Sequence, residues 1–210
     1  KAVRYRMTAQ DLEHRVMQHL GKLPFVLWEN QFNLFDSHDT PRLHNNPQIS
    51  FADFRGAVLF QFLLTGAASI YYGDEANIDG TIDSNEGCRY PMPWQRNFRT
   101  GESYRLYRAM AHLKKAHPAL CGGGMKFLYA QGDVFSIARF SGDDTVVGVI
   151  SKSDREETVR LPLAALGAKA PASSEDLLGI PLTWKPGDSK SILLTVPPHG
   201  SLLFSCARKV

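Results

Sequence analysis

Cysteine is scarce in this chain: Cys88, Cys121 and Cys206 are the only three in 210 residues. An odd number, far apart and without CxxC spacing, argues against a disulfide framework and against a zinc site. It fits reduced thiols in a cytosolic protein, and a cytoplasmic location is the expectation. Charge of one sign is also missing. Lys and Arg number 24 against 21 Asp and Glu, a net charge of +3, and no basic run is longer than a pair such as Lys114-Lys115. That leaves no electrostatic footprint for nucleic acid or an anionic membrane. Long apolar runs are absent too. The longest, "AVLFQFLLTGAASIYY", is interrupted by Gln61, Thr65 and Gly66, whereas a membrane span needs about 20 mostly apolar residues. It reads as a buried helix followed by a buried strand. There is no internal repeat. No cluster approaches the roughly six to eight converging oxygens that calcium takes, so neither metal nor cofactor is expected. The opening "KAVRYRMTAQDLEH" has no segment of signal-peptide type and no initiator Met; the expectation is a piece of a longer protein.

What is present is an ordinary globular composition, 43% hydrophobic and 21% charged, in a length that suits one large domain or two ordinary ones. Thr8 and Asp11 have the spacing of a capping box. Leu12, Val16 and Leu20 then recur on one helix face until Gly21 and Pro24 stop it. Residues 25–35 lead into a strand. Ser50 and Asp53 open a second helix through "FADFRGAVLFQFLLTG", apolar nearly all round and so buried. "ASIYYGDE" follows as a short apolar strand of the parallel kind. Residues 76–100 form a long loop, and such loops inside compact domains are usually functional. A third helix over 102–117 sets Leu106, Met110 and Leu113 on one face, and Pro118 ends it. After "GGG" at 122–124 the texture changes to short Val-, Ile- and Phe-rich runs: "MKFLYAQ", "VFSIARFS", "TVVGVIS", "ETVRLPL", "SILLTV" and "SLLFSCA". Turn signals separate them, which points to an antiparallel sandwich. "LGAKAPASSED" reads as a loop. The fold class is therefore α/β plus all-β, with residues 1–120 and 121–210 as the two units.

In parallel α/β folds, ligands meet the C-terminal ends of strands. Two clusters lie at such ends: Asp36, His38, Asp39 and Arg42 in "NLFDSHDTPRL", and Tyr72, Gly73, Asp74 and Glu75 after Ile70. A rim of carboxylates with one His, one Arg and the aromatics Tyr71, Tyr72, Tyr90 and Trp94 suits a sugar. Carboxylates accept pairs of hydroxyl hydrogen bonds, and rings stack on sugar faces. A single Asp after a strand is equally a cap or turn residue, so Asp36 and Asp74 admit both readings. Adjacent His38 and Asp39 are costly unless paired. Asp36 and Arg42 read as a pair that holds the loop, Asp53 as a cap, and His14, His19, His112 and His117 as surface residues.

"FNLFDSHDTPRL", then "IYYGDE", a loop with Gly80 and Asp83, and "CRYPMPW" together resemble the α-amylase superfamily of glycoside hydrolases, nearest its neopullulanase and cyclomaltodextrinase branch. The resemblance implies that the first unit is the last part of a (β/α)8 barrel and the second its β-sandwich C-terminal domain. It implies a retaining enzyme acting on an α-glucan such as starch, maltodextrin, cyclodextrin or pullulan. Asp39 matches the family's third catalytic carboxylate, the transition-state stabiliser that binds the sugar 2-OH and 3-OH. His38 matches the histidine on the same sugar. Asp83 and Arg89 match a loop pair holding further glucose units, although "DSNEGCR" is longer than the family's "DPxCR". Trp94 belongs to that loop, as a sugar contact or as packing, and Tyr72 to the substrate wall.

Retaining glycosidases need a nucleophile and a general acid about 5–5.5 Å apart. The family's "GFRxD" string and later Glu do not occur here; "DFRG" at Asp53 reads in the wrong order, and Glu29 precedes the opening strand. The expectation is a C-terminal fragment, inactive alone. Its open sheet edge would pair with the rest of the barrel or with a second copy. The alternative is a non-catalytic carbohydrate-binding or interaction module that keeps only the scaffold.

Overall fold

The computed structural model describes residues 7–81, 83 and 86–208, without the side chains of 169, 207 and 208. The opening segment 1–6 and parts of the long loop (82, 84 and 85) lie outside the described residues. Both capping boxes form. Helix α1 (Ala9–Leu20) starts where Thr8 Oγ1 accepts the Asp11 N–H at 3.1 Å while Asp11 Oδ2 accepts the Thr8 N–H at 3.0 Å. Helix α3 (Phe51–Leu63) starts the same way, with Ser50 and Asp53. Between them the run-up expected to be extended contains a single helical turn, α2 (Phe25–Trp28), behind Pro24.

The two strands expected to end at the charged clusters are much shorter than the apolar runs suggest. β1 (Phe32–Asn33) and β2 (Ala67–Ala68) pair in parallel over two residues each. The apolar Leu34 and Phe35 are 52% and 38% exposed, and Ile70, expected in a buried strand, is 37% exposed. The physical reason is that a parallel strand is stabilised by neighbours and by helices on both faces. Among the described residues this pair has no third strand, so the ladder stops and its apolar side chains stay open. Gln61 of α3 holds the pair from behind, with Nε2 donating to Asn33 O at 2.8 Å and Ser69 O at 2.9 Å.

Helix α4 (Glu102–Ala116) buries Leu106 and Met110, and α5 (Pro118–Cys121) follows. The rest is antiparallel: β3 (Gly124–Gln131), β4 (Val134–Ser141), β5 (Asp144–Ser151), β6 (Glu157–Leu161), β7 (Ala168–Pro171), β8 (Trp184–Asp188), β9 (Ser191–Val196) and β10 (Ser201–Arg208). They form a five-stranded sheet, β3-β4-β5-β10-β7, and a three-stranded sheet, β6-β9-β8. β7 lies inside the stretch expected to be a loop, which corrects that reading.

The five-stranded sheet is the middle layer. On one face Phe127, Phe135, Ile137, Val146, Ile150 and Leu203 share a core with Phe54, Leu59, Phe62 and Met110 of the helices. On the other, Val134, Ala138, Val147 and Phe204 pack with Val159, Leu161 and Leu194 of the smaller sheet. Helix α3 approaches closely: a Cβ at Gly148 would overlap Leu63 Cδ1, and one at Gly56 would lie 3.0 Å from Ile150 Cγ2. The fully buried Arg139 of β4 ties the layers together, donating to Leu63 O, Leu64 O, Gly122 O and Gly124 O at 3.2, 2.9, 3.3 and 3.3 Å.

Candidate functional site

The loop after β1 is folded by its own short side chains. Thr40 Oγ1 accepts the Ser37 N–H at 2.8 Å, and Ser37 Oγ accepts the Asp39 N–H at 3.2 Å. That turn presents His38 and Asp39 at its tip. His38 Nε2 lies 3.1 Å from Asp39 Oδ2, and Arg89 Nη2 donates to Asp39 Oδ1 at 3.1 Å. The side chains are 57%, 71% and 55% exposed for His38, Asp39 and Arg89. Ion pairs this exposed contribute about 0–1 kcal/mol to stability. The trio is thus held weakly and remains open to a ligand. His38, Asp39 and Arg89 come from two loops 50 residues apart, and the fold brings them together.

Beneath the trio the charges are buried. Asp36 Oδ2 accepts the Leu43 N–H at 2.8 Å and pins the far end of the loop. Arg42 pairs with Asp74, Nη1 to Oδ1 at 2.7 Å, with side-chain exposures of 0% and 5%. The expected Asp36–Arg42 pair is therefore replaced by Arg42–Asp74; the guanidinium points across to the second strand-end cluster, and Asp36 serves the backbone. Burial, and after it the neighbouring Asp36 carboxylate, push the Asp74 carboxyl up to about 8, against the pull of Arg42. The Arg42 guanidinium also sits over two rings, 4.6 Å from the Tyr71 centroid and 5.3 Å from that of Tyr72. Tyr72 donates its hydroxyl to Tyr90 O at 2.8 Å, which leaves its ring, with the residue 40% exposed, as the part free for a ligand.

Trp94 is 72% exposed, with its ring 6.3 Å from that of Phe98. It lines an open groove of about 450 Å³ with Asn77, Asp79, Tyr90 and Arg96. Asp83 is exposed on its loop, and among the described residues no hydrogen bond or ion pair joins it to Arg89. Sequence reasoning missed one further cluster. His199, in the turn before β10, lies between Asp53 (Nδ1 to Oδ1, 2.7 Å) and Asp154 (Nε2 to Oδ1, 2.9 Å). Nothing local in the sequence signals it, since the partners are 146 and 45 residues away.

The parallel pair with its helices, backed by a two-sheet sandwich, is the last part of a (β/α)8 barrel followed by a β-sandwich domain. No family model matches the chain. It is 30% identical over 203 residues to a cyclomaltodextrinase of Geobacillus thermopakistaniensis (strain MAS1), covering 95% of this chain and 33% of that protein. A cyclomaltodextrinase of Bacillus sp is 35% identical over 154 residues, 72% of this chain and 27% of that one. Among solved structures, the acarbose-soaked debranching enzyme of Nostoc punctiforme superposes with a TM-score of 0.78 at 26% identity, over 95% of this chain and 39% of that one. The chain belongs to the α-amylase family, as a C-terminal portion of it. It spans a third or less of the length of the curated relatives it matches, 33% and 27% of these two.

Proposed function

We propose that this chain carries one wall of the active site of a retaining α-glucan-acting glycoside hydrolase. Asp39 is its transition-state stabiliser. The observation that carries the reading is the exposed His38–Asp39–Arg89 trio at the end of a parallel strand. An ionised carboxylate only accepts hydrogen bonds, and two sugar hydroxyls can share it. Bonds to the 2-OH that tighten as the oxocarbenium ion forms lower the barrier by several kcal/mol. His38 donates to the same sugar. Arg89 orients the carboxylate and, with Asp83, holds further glucose units. The ring of Tyr72 and the indole of Trp94 give apolar surface to pyranose faces. The substrate class is that of the relatives' names: cyclodextrins, maltodextrins, starch or pullulan.

Residues 1–120 form the barrel part and 121–210 the sandwich. The rest of the barrel, with nucleophile and general acid, docks on the open parallel pair, where Phe32 is 76% exposed. Three free cysteines support a cytoplasmic setting. The test is to assay maltodextrin hydrolysis by the chain joined to an upstream barrel half, with and without Asp39→Asn. Loss of about 3 kcal/mol lowers kcat/KM by ~150-fold. A loss below about tenfold overturns the role of Asp39. Measurable hydrolysis by the pure 210-residue chain overturns the one-wall reading.

A further inference from the structure

Arg89 meets Asp39 from a long loop, and the backbone on each side of it is pinned in the same way. Tyr71 donates its hydroxyl to Cys88 O at 3.2 Å, and Tyr72 donates its own to Tyr90 O at 2.8 Å. Two consecutive tyrosines thus take the carbonyls of the two residues that neighbour Arg89 in the chain. Their rings meet edge-on, with centroids 4.8 Å apart at 71°. Both lie under the guanidinium of Arg42, which reaches toward Cys88 O with Nη2 at 3.5 Å. Arg42 is itself immobilised. Asp74 holds Nη1, Gly80 O accepts its N–H at 3.3 Å, and Gly80 Cα packs so near that an added Cβ would lie 3.1 Å from Cγ and Nε. Arg42 follows Asp39 by three residues, so one buried residue touches both loops that bear the trio.

We infer that Arg42, acting through Tyr71 and Tyr72, is a positioning residue that sets where Arg89 meets Asp39. A cation over two rings attracts both at once. Held rings fix their hydroxyls, and the hydroxyls fix the peptide unit that enters Arg89 and the one that leaves Tyr90. The ion pair at the surface is then short because its two backbones are held from below, not because the pair itself is strong. This arrangement concerns geometry within the chain; its use in catalysis rests on the sugar-site reading given above.

The test separates the two. Nuclear magnetic resonance of the 15N-labelled 210-residue chain reads the Arg89 backbone amide and its side-chain Nε–H, assigned through Arg89→Lys. The Tyr71→Phe/Tyr72→Phe double variant removes two hydroxyls and keeps the rings in the fold. In it, the Arg89 amide order parameter should fall from the rigid range, ~0.85, to below ~0.6, and the Nε–H signal should move to the position shared by solvent-exposed arginines. Arg42→Lys, which keeps a cation for Asp74 but loses the planar fork, should give the same change in Arg89. Order at control amides in β4 and β5 should stay constant in every variant. Unchanged Arg89 signals in the double variant overturn the inference; so do losses spread evenly over the whole chain, since those mark a general structural role. Failure of the unaltered chain to shift on titration with acarbose would count against the sugar-site reading and leave this measurement standing.

Discussion

Replacing Arg139 with Met tests whether a buried cation that donates to backbone carbonyls joins the helices to the sandwich. Its donors serve four backbone carbonyls, two at the C-terminal end of α3 and two beside the start of β3. Helix C-terminal carbonyls have no intrahelical partner, and here the sheet supplies one. Hydrogen bonds from a charged donor contribute about 1.5–3 kcal/mol each, so four amount to ~6 at the low end. Against that stands the cost of burying the charge. Burial pulls the guanidinium well below its ordinary value, to about 10, and a shift of that size corresponds to ~3 kcal/mol. Met keeps the aliphatic stem's packing and removes both effects, which leaves a net loss of ~3 kcal/mol. With a urea m-value of roughly 2 kcal/mol/M, the midpoint of urea unfolding falls by ~1.5 M. Circular dichroism at 222 nm reads it. A fall of less than ~0.5 M would refute the reasoning. Arg139→Lys, able to reach fewer carbonyls, should lie between the two.

Three further outcomes are expected. His199 faces acceptor-only carboxylates at both ring nitrogens, so only the imidazolium satisfies both, and the hydrogen bonds it donates to Asp53 and Asp154 raise its pKa above the usual 6.5. Its contribution is full below about 6.5 and is lost as pH rises through the folded value, whereas Asp53, lowered overall by Ser50 and His199 despite burial, loses its share as pH falls below the usual 3.8. The Tm deficit of His199→Asn should therefore be largest near about pH 5 and shrink by about pH 9; an equal deficit at both would sink the assignment. Cys121 is exposed whereas Cys88 and Cys206 are buried, Cys206 with its thiol pushed up to about 12 by burial. A thiol titration should find one reactive group in the native chain and three in denaturant, and labelling of Cys88 under native conditions would contradict the packing. Gly148→Ala places a methyl into Leu63 and should cost about 1–3 kcal/mol in chemical denaturation; a neutral result would mean that α3 can shift off the sheet.

The elements that were legible in the sequence carry their cause locally. Thr8 with Asp11 and Ser50 with Asp53 cap their own helices, and six sandwich strands show their apolar runs between turn residues. The ones that were not depend on distant residues. β7 ends in Pro171 and β8 contains Pro186 and Gly187, a composition that reads as loop; both are edge strands, where a proline's missing N–H costs no ladder bond. β1 and β2 carry strand-like sequence but lack neighbours to extend against. In the candidate site, His38, Asp39 and Arg89 were legible through their motif strings. The partner of Arg42 was not: Asp36 and Asp74 both end strands, and only the parallel pairing, which lays residue 33 beside 68, decides that the guanidinium crosses to Asp74.

That crossing explains how a weakly held surface trio can be well placed when the parallel sheet is two strands wide among the described residues. The strands themselves offer little support, with Phe32 and Leu34 facing outward. Support comes from the opposite side. α3 buries Phe54, Val58, Leu59, Phe62 and Leu63 in the core it shares with the five-stranded sheet, and its Gln61 fixes the carbonyls of Asn33 and Ser69 at the ends of both parallel strands. From those ends the loops run to Asp36, Arg42 and Asp74, and from there to Asp39 and Arg89. The positional order of His38, Asp39 and Arg89 is thus passed from the sandwich through one helix to two strand ends. The β-sandwich thus governs the geometry at Asp39 from a distance, and changes at the α3–sheet contact should disturb the trio before they unfold the chain.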